Sequence, residues 1–286
     1  MTRGQPHRLS VTDHDRDSAE LTYVYPVISR RAGGVSVGIN LNTNNACNWR
    51  CVYCQVPGLI AGKAPATDVA LLETELRRMF GEILQGDFMQ SRVPEGARQL
   101  KDVAFSGNGE PTSSEQLDQC LSVVARVLTD VGLPSLPVVL ITNGSLVDKP
   151  RVQDCLRQLA SMNGEVWFKL DSATRDGLKR INSVVADPER HLQRLQLAAG
   201  LCPTWVQTCV FRWDGQDPSA AERQAYVDAL RHQLEAEVPL RGVLLYGIAR
   251  PSHQPEAARL SPVSESYLKQ LSDELSALGL DVRTST

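Results

Sequence analysis

Short, strongly apolar runs alternate along this chain with longer segments whose apolar residues recur at helical spacing. Six of the short runs read as strands: Val35 to Leu41, Asp102 to Phe105, Pro137 to Thr142, Val166 to Asp171, Trp205 to Phe211 and Gly242 to Ile248. Between and after them lie DVALLETELRRMFGEIL, EQLDQCLSVVARVLTDVG, RVQDCLRQLASM, ERHLQRLQLAAG and AAERQAYVDALRHQLEA, each with the i, i+3, i+4 pattern of a half-buried helix. Strands that are apolar throughout and separated by helices belong to a parallel sheet covered on both faces.

Helix signals sharpen this. Thr112 and Glu115 have the spacing of a capping box, which starts the helix after the second strand there and leaves SGNGEP in the preceding loop. In the last helical segment, SPVSESYLKQLSDELSALG, Ser261 is a candidate N-cap, Pro262 suits the first turn and Gly279 stands near the end. The pattern predicts an α/β fold: a partial (β/α)6 TIM-like barrel of parallel strands with a C-terminal helix, its functional loops at the carboxyl ends of the strands. Residues 21–286 read as a single catalytic domain, and residues 1–20 as a flexible N-terminal segment.

With 286 residues, 42% hydrophobic and 22% charged, the chain is an ordinary globular one. The net charge of -3 supplies no global basic field, so a nucleic-acid substrate would need a local patch. No run is long and apolar enough to span a membrane and no signal-peptide core opens the chain, which reads as cytoplasmic. A monomer is expected.

Seven cysteines are present, and three of them fall within eight residues: ACNWRCVYC, with Cys47, Cys51 and Cys54 in a C-x3-C-x2-C spacing after the first strand. The other four, Cys120, Cys155, Cys202 and Cys209, are scattered and read as buried small apolar residues. Three thiolates hold three irons of a cubane [4Fe-4S] cluster and leave the fourth iron open to an exogenous chelating ligand. Two other uses of the triplet stay open at this point. Zinc needs a fourth ligand or a water, and no histidine lies within 30 residues, although a distant one could fold in. A ferredoxin-like electron carrier needs a fourth cysteine.

The downstream loops carry further candidate chemistry. Gly107, Asn108, Gly109 and Glu110 combine glycines that admit close backbone approach with a carboxylate able to pair with an ammonium. Thr142, Asn143 and Gly144 close the third strand. Lys169 and Asp171 share one face of the fourth strand and reach the barrel cavity if that face points inward, with Ser172 a weaker member. Arg250 stands at the barrel mouth after the sixth strand, where a cation can bind an anionic substrate or a cofactor carboxylate. Arg30 and Arg31, just before Gly33 and Gly34, either bind phosphate in a glycine-rich turn or stand on a solvated loop.

The cysteine triplet with Tyr53 before its last member resembles the signature of the radical S-adenosylmethionine (SAM) superfamily. The whole set YPVISRRAGGVSVGINLN, CVYCQV, FSGNGEPT and LLYGIARPS is similar to its wyosine-synthase-like group. The resemblance implies S-adenosyl-L-methionine chelated to the open iron and reductively cleaved to a 5'-deoxyadenosyl radical that abstracts a substrate hydrogen. It assigns Cys47, Cys51, Cys54 and Lys169 to catalysis. It assigns Tyr53, Gly107, Asn108, Gly109, Glu110, Thr142, Asn143, Lys169, Asp171, Ser172 and Arg250 to cofactor binding.

It also implies a separate low-potential donor, a flavodoxin or ferredoxin. Substrates compatible with it are a transfer RNA base or, alternatively, a glycyl-radical or peptide partner; outside the resemblance stands a metal-binding or electron-transfer module. Residues 1 to 46 contain no cysteine, so the second cluster of characterised wyosine synthases has no ligands there, which tells against their pyruvate-dependent reaction.

Overall fold

The computed structural model describes residues 8–10 and 21–285. Eleven strands and eight helices make it up. The strands are β1 (Val24–Ser29), β2 (Gly34–Ile39), β3 (Ala46–Cys47), β4 (Ile60–Ala61), β5 (Leu100–Phe105), β6 (Val138–Thr142), β7 (Gly164–Lys169), β8 (Thr204–Trp213), β9 (Leu240–Gly247), β10 (Leu260–Pro262) and β11 (Val282–Ser285). The helices are α1 (Val69–Leu84), α2 (Phe88–Ser91), α3 (Leu117–Asp130), α4 (Pro150–Ser161), α5 (Arg175–Asn182), α6 (Pro188–Leu201), α7 (Ala220–Glu235) and α8 (Glu265–Ser276).

The main sheet runs β1-β2-β5-β6-β7-β8-β9-β11, with β10 beside β8 and β3-β4 forming a separate ribbon. From β2 to β11 every neighbouring pair is parallel, and only β1 and β10 are antiparallel. The sheet curls into a half-barrel. Its strands present alternate residues to two environments: Val166 and Phe168 of β7 are fully buried in the core beneath the helices, while Trp167 and Lys169 turn into the lumen.

All six predicted strands exist within one or two residues of their expected limits. The sheet is wider than expected. β1 forms a hairpin with β2 through a turn in which Gly33 takes φ +73°, and β11 extends the parallel run beside β9. β1 is further fastened by Glu75 of α1, a buried carboxylate that accepts from the amides of Thr22 (2.7 Å), Tyr23 (2.8 Å) and Val24 (3.1 Å).

Three local expectations are corrected. The helix after β5 does not begin at a Thr112–Glu115 box, because the Thr112 amide and hydroxyl are both given to Glu110; residues 111–113 form a short 3-10 turn and α3 starts at Leu117. Glu115 pairs instead with Lys63 on the surface. Ser261 and Pro262 belong to β10, paired with Arg212 and Phe211 of the long β8, and Ser264 is the residue whose hydroxyl caps α8 by accepting the Tyr267 amide. After β7 the chain forms two helices, and the short first one, α5, was absent from the sequence pattern.

Of the N-terminal segment, residues 1–7 and 11–20 lie outside the described residues. Leu9 is buried in the main core, and its amide donates to the Arg92 carbonyl (2.8 Å).

Glu75→Ala leaves three backbone amides at the start of β1 without their acceptor, one of them on the exposed Thr22. Hydrogen bonds to a charged group contribute about 1.5–3 kcal/mol each, so a loss of about 3 kcal/mol is expected after water reaches part of the gap. Urea unfolding at neutral pH checks this; a loss below about 1 kcal/mol would show that β1 is held by its ladder alone.

Candidate active site

The lumen of the half-barrel holds a cavity of about 240 Å³. Cys47, Cys51 and Cys54 line it together with Tyr53, Lys169 and Arg250, so residues scattered over 200 positions of sequence meet in one volume. Gly107, Asn108, Gly109, Glu110 and Asn143 form another part of its wall. Thr142 lies behind that wall, and Asp171 and Ser172 lie behind the cysteine-loop side; none of the three lines the cavity.

The cysteine loop is held on several sides. Cys47 begins its span in β3, pairing with Ala61 of β4. Across the loop, the Val52 amide donates to the Ile181 carbonyl (2.8 Å) and the Arg50 amide to the Asn182 carbonyl (3.2 Å). From the other end of the chain the Ser252 hydroxyl donates to the Val52 carbonyl (2.6 Å), and Arg50 makes a two-pronged ion pair with Glu256 (2.7 and 2.8 Å). Among the described residues, no three His, Cys, Asp or Glu side chains converge on one point that a single metal ion could occupy. Thiols spread over a cavity wall suit a polynuclear cluster, in which each binds a different iron. His191 does pack on Trp49, but its Nε2 is engaged with the Lys169 carbonyl (2.9 Å), and burial pushes its pKa down to about 4.

Glycines allow the second wall to approach. A Cβ on Gly109 would overlap the carbonyl oxygen of Ala46, so the two loops touch backbone to backbone. Gly107, at φ +151°, leaves the space that the Asn40 side chain fills, and Asn40 Oδ1 accepts from the Asn108 amide (3.0 Å). Glu110 is buried and its carboxylate is already heavily used. It accepts from the Thr112 hydroxyl (2.5 Å) and amide (3.1 Å), the Thr142 hydroxyl (2.6 Å) and the Asn143 amide (2.6 Å). Its carboxylate therefore binds the GNGEP loop to the TNG loop. Burial raises its pKa, against those four donors. Asn143 in turn donates to Asn48 Oδ1 (2.8 Å) inside the cysteine loop.

One hydrogen-bonded chain connects a thiol to the lumen lysine. Asn182 Nδ2 donates to Cys51 Sγ (3.2 Å) and to Asp171 Oδ2 (2.8 Å). Asp171 Oδ2 also accepts from the Tyr53 hydroxyl (2.5 Å), and its Oδ1 accepts from the Cys209 amide (3.0 Å). Lys169 Nζ donates to the Tyr53 hydroxyl (3.3 Å) and the Tyr246 hydroxyl (3.5 Å). Burial alone would lower the pKa of Lys169; the neighbouring Tyr246, Asp171 and Cys51 groups outweigh it and hold the ammonium above its ordinary value. Burial pushes the Cys47 thiol up to about 11 and the Cys51 thiol up to about 12, so in the absence of a metal both stay protonated at neutral pH, and metal binding must displace the protons.

Asp171 and Lys169 are thus both placed at the site, but in different roles: Lys169 faces the cavity and Asp171 braces Tyr53 and Asn182. Ser172 faces away, donating to Glu222 and accepting from the Thr174 amide (3.0 Å). Arg30 and Arg31 are half-buried rather than solvated, and the Arg31 guanidinium lies over Trp167 (5.0 Å) and Tyr246 (4.9 Å) in the lumen. Sequence reasoning missed Asn182, the residue that contacts both Cys51 and the Asp171 carboxylate. The signal was the run TRDGLKRIN, with Thr174 as N-cap and Leu178 and Ile181 on one face.

A thiolate triplet, a close-packed glycine loop and a deep lumen at the carboxyl ends of the strands define an iron–sulfur half-barrel enzyme. The chain belongs to the Radical SAM superfamily, whose family model matches residues 41–219. Enzymes of this superfamily use a [4Fe-4S] cluster and S-adenosylmethionine and draw electrons from a reductant partner. Among solved structures it resembles a radical SAM methyltransferase from Sphaerobacter thermophilus, at TM-score 0.59 and 17% identity over 88% of this chain and 66% of that one. It also resembles TYW1 with a lysine-pyruvate adduct bound, at TM-score 0.55 and 16% identity over 86% of this chain and 74% of that one. At these identities the likeness is one of fold. A UPF0026 protein of Helicobacter pylori (strain J99 / ATCC 700824) is 26% identical over 162 residues, 55% of this chain and 44% of that protein. The chain spans less than half the length of the curated relatives it matches. Among the described residues no helix is long and apolar enough to cross a membrane.

Gly109→Val drives a side chain into the Ala46 carbonyl and displaces the cysteine loop. After anaerobic reconstitution, iron per chain is expected to fall to less than half the wild-type value while far-UV circular dichroism is unchanged. Wild-type iron content in Gly109→Val would show that the contact between the loops is dispensable.

The lumen also sets a pH dependence. Asp102 donates nothing and accepts from the Ser36 hydroxyl, and burial raises its pKa from 3.8 to about 6. The folded state therefore binds this proton more tightly than the unfolded chain, so the stability it confers is complete below pH 3.8 and is lost as pH rises through 6. At about 1.4 kcal/mol per unit the loss is at most about 3 kcal/mol. Asp102→Asn should remove that part of the decline in stability between pH 4 and 7, measured by urea unfolding at each pH; an unchanged slope would contradict the assignment.

Proposed function

We propose that this enzyme reductively cleaves S-adenosylmethionine at a [4Fe-4S] cluster held by Cys47, Cys51 and Cys54, and that the resulting 5'-deoxyadenosyl radical takes hydrogen from a substrate seated in the lumen. The observation that carries this reading is the shared cavity: the three thiols and the residues best placed to bind the cofactor and substrate line one enclosed volume. When bound, the cluster supplies the electron and the open iron that chelates the methionine moiety.

The chain's own residues do the rest. Asn182 donates to Cys51 Sγ and so favours its thiolate over its thiol. Glu110 holds the two loops that flank the cofactor, and its Oε2, which accepts a single hydrogen bond from Asn143, keeps a lone pair for an incoming ammonium. Asn143 and the backbone of Gly107 to Gly109 form the cofactor's bed. Lys169, charged and held between two tyrosine hydroxyls, faces the reacting region as a fixed cation. Arg250 lines the same cavity and is assigned to a cofactor carboxylate.

Residues 21–286 act as one catalytic domain in this reading, since a continuous core extends from Leu9 to Leu280. A flavodoxin or ferredoxin supplies the electron, and the enzyme works as a monomer in the cytoplasm. For the substrate, the similarity of sequence to wyosine synthases favours a transfer RNA base over a glycyl-radical partner.

Two experiments test the reading. Reconstituted protein given dithionite and S-adenosylmethionine should release 5'-deoxyadenosine and methionine, and Cys51→Ala should release none; equal traces from both would overturn it. Nucleoside mass spectrometry of transfer RNA from a deletion strain should show a missing modified nucleoside, and an unchanged nucleoside profile would overturn the RNA branch alone.

A further inference from the structure

The lumen wall opposite the glycine loop contains polar groups that neither the cluster nor its bound cofactor accounts for. Gln207 of β8 is fully buried and lines the cavity, yet neither its Nε2 nor its Oε1 has a hydrogen-bond partner. No protein group claims either end of this amide, so both its donor and its acceptor are free for a molecule in the cavity. A leucine would fill the same space and offer neither.

Around the same cavity stand two arginines from the β1–β2 hairpin. Arg31 stacks on Trp167 and Tyr246 and makes no ion pair among the described residues. Arg30 has a buried Nη1 without a partner, and burial together with its neighbour Arg31 lowers its pKa. The carboxylates in reach are otherwise occupied. Asp102 is turned to Ser36, and Glu165 accepts from the indole nitrogens of Trp167 (2.8 Å) and Trp205 (3.1 Å). Neither acid forms an ion pair with Arg30 or Arg31 among the described residues, so both guanidiniums stay open to a further oxyanion, with an unused donor and an unused acceptor beside them.

We infer that this wall is a subsite beside the proposed substrate position and that it takes a group bearing a carboxylate or phosphate next to a hydroxyl or ammonium. The oxyanion lies against the Arg30 and Arg31 guanidiniums and accepts from Gln207 Nε2. The neighbouring donor satisfies Gln207 Oε1. Arginine forks match the geometry of both oxyanions, and a guanidinium fixed on two aromatic rings loses little freedom on binding. The inference rests on the proposed radical chemistry for its biological meaning, but the site itself binds its anion without that chemistry.

Isothermal titration calorimetry on the reconstituted protein tests it, with inorganic phosphate, lactate and acetate as probes. Phosphate or lactate should saturate, whichever does so more tightly identifying the source of the oxyanion, and acetate, which lacks the donor, should bind at least tenfold more weakly. Gln207→Leu should weaken the preferred probe at least tenfold while its melting temperature without ligand stays equal to or above that of the wild type. Arg30→Met provides a second variant with the same expected loss. The inference is overturned if neither phosphate nor lactate saturates, if Gln207→Leu binds them as the wild type does, or if S-adenosylmethionine displaces them competitively, which would make the subsite the cofactor's own. Release of 5'-deoxyadenosine is scored separately, so a failed anion site and a failed radical reading give different results.

Discussion

The carboxylate of Asp171 is the constraint on which the site depends. Buried at the end of β7, it receives the Tyr53 hydroxyl, the Asn182 side chain and the Cys209 amide, and so joins four segments far apart in sequence: the cysteine loop, β7, α5 and β8. A buried carboxylate with three donors is satisfied where a bare one would not be, and the donors in turn have a fixed place to point. Tyr53 is thereby oriented to accept from Lys169, and Asn182 to donate its second hydrogen to Cys51. Neighbouring Glu110 does the same service on the other side of the lumen, between the GNGEP and TNG loops. Two buried acids, each accepting several hydrogen bonds, hold the walls of the cavity in place.

That arrangement leaves a division of labour within the half-barrel. Its strand ends carry the thiols and the loops that flank them, while residues deeper along the same strands and the β1–β2 hairpin present cationic and amide groups. Lys169 stands between the two regions. The C-terminal segment closes the structure over the cysteine loop through Ser252, Gln254 and Glu256, so the last third of the chain stabilises a loop laid down in the first fifth.

Much of this was legible in the sequence, for physical reasons. Buried parallel strands must be apolar on both faces, which made six of them visible, and metal-binding thiols cluster by spacing, which made Cys47, Cys51 and Cys54 visible. What was not legible depended on distant partners. Thr112 looks like a helix cap until Glu110 claims its hydroxyl and amide. Ser172 shares a strand end with Asp171, but a Glu222 that arrives from α7 draws it away. Asn182 sits in a helix of eight residues, too short for periodicity to register, and its importance comes from contacts across 131 positions of sequence. For Arg30 and Arg31 the sequence left a phosphate-binding turn and a solvated loop both open, because a linear pattern does not show that β1 folds back and sends them toward the lumen.

The most direct test of the account is electron paramagnetic resonance of the anaerobically reconstituted, dithionite-reduced protein, recorded with and without S-adenosylmethionine. A cluster held by three thiolates with one open iron predicts a reduced [4Fe-4S] signal whose g values shift when the cofactor chelates that iron. A signal unchanged by S-adenosylmethionine, or protein that carries zinc and no cluster, would contradict it.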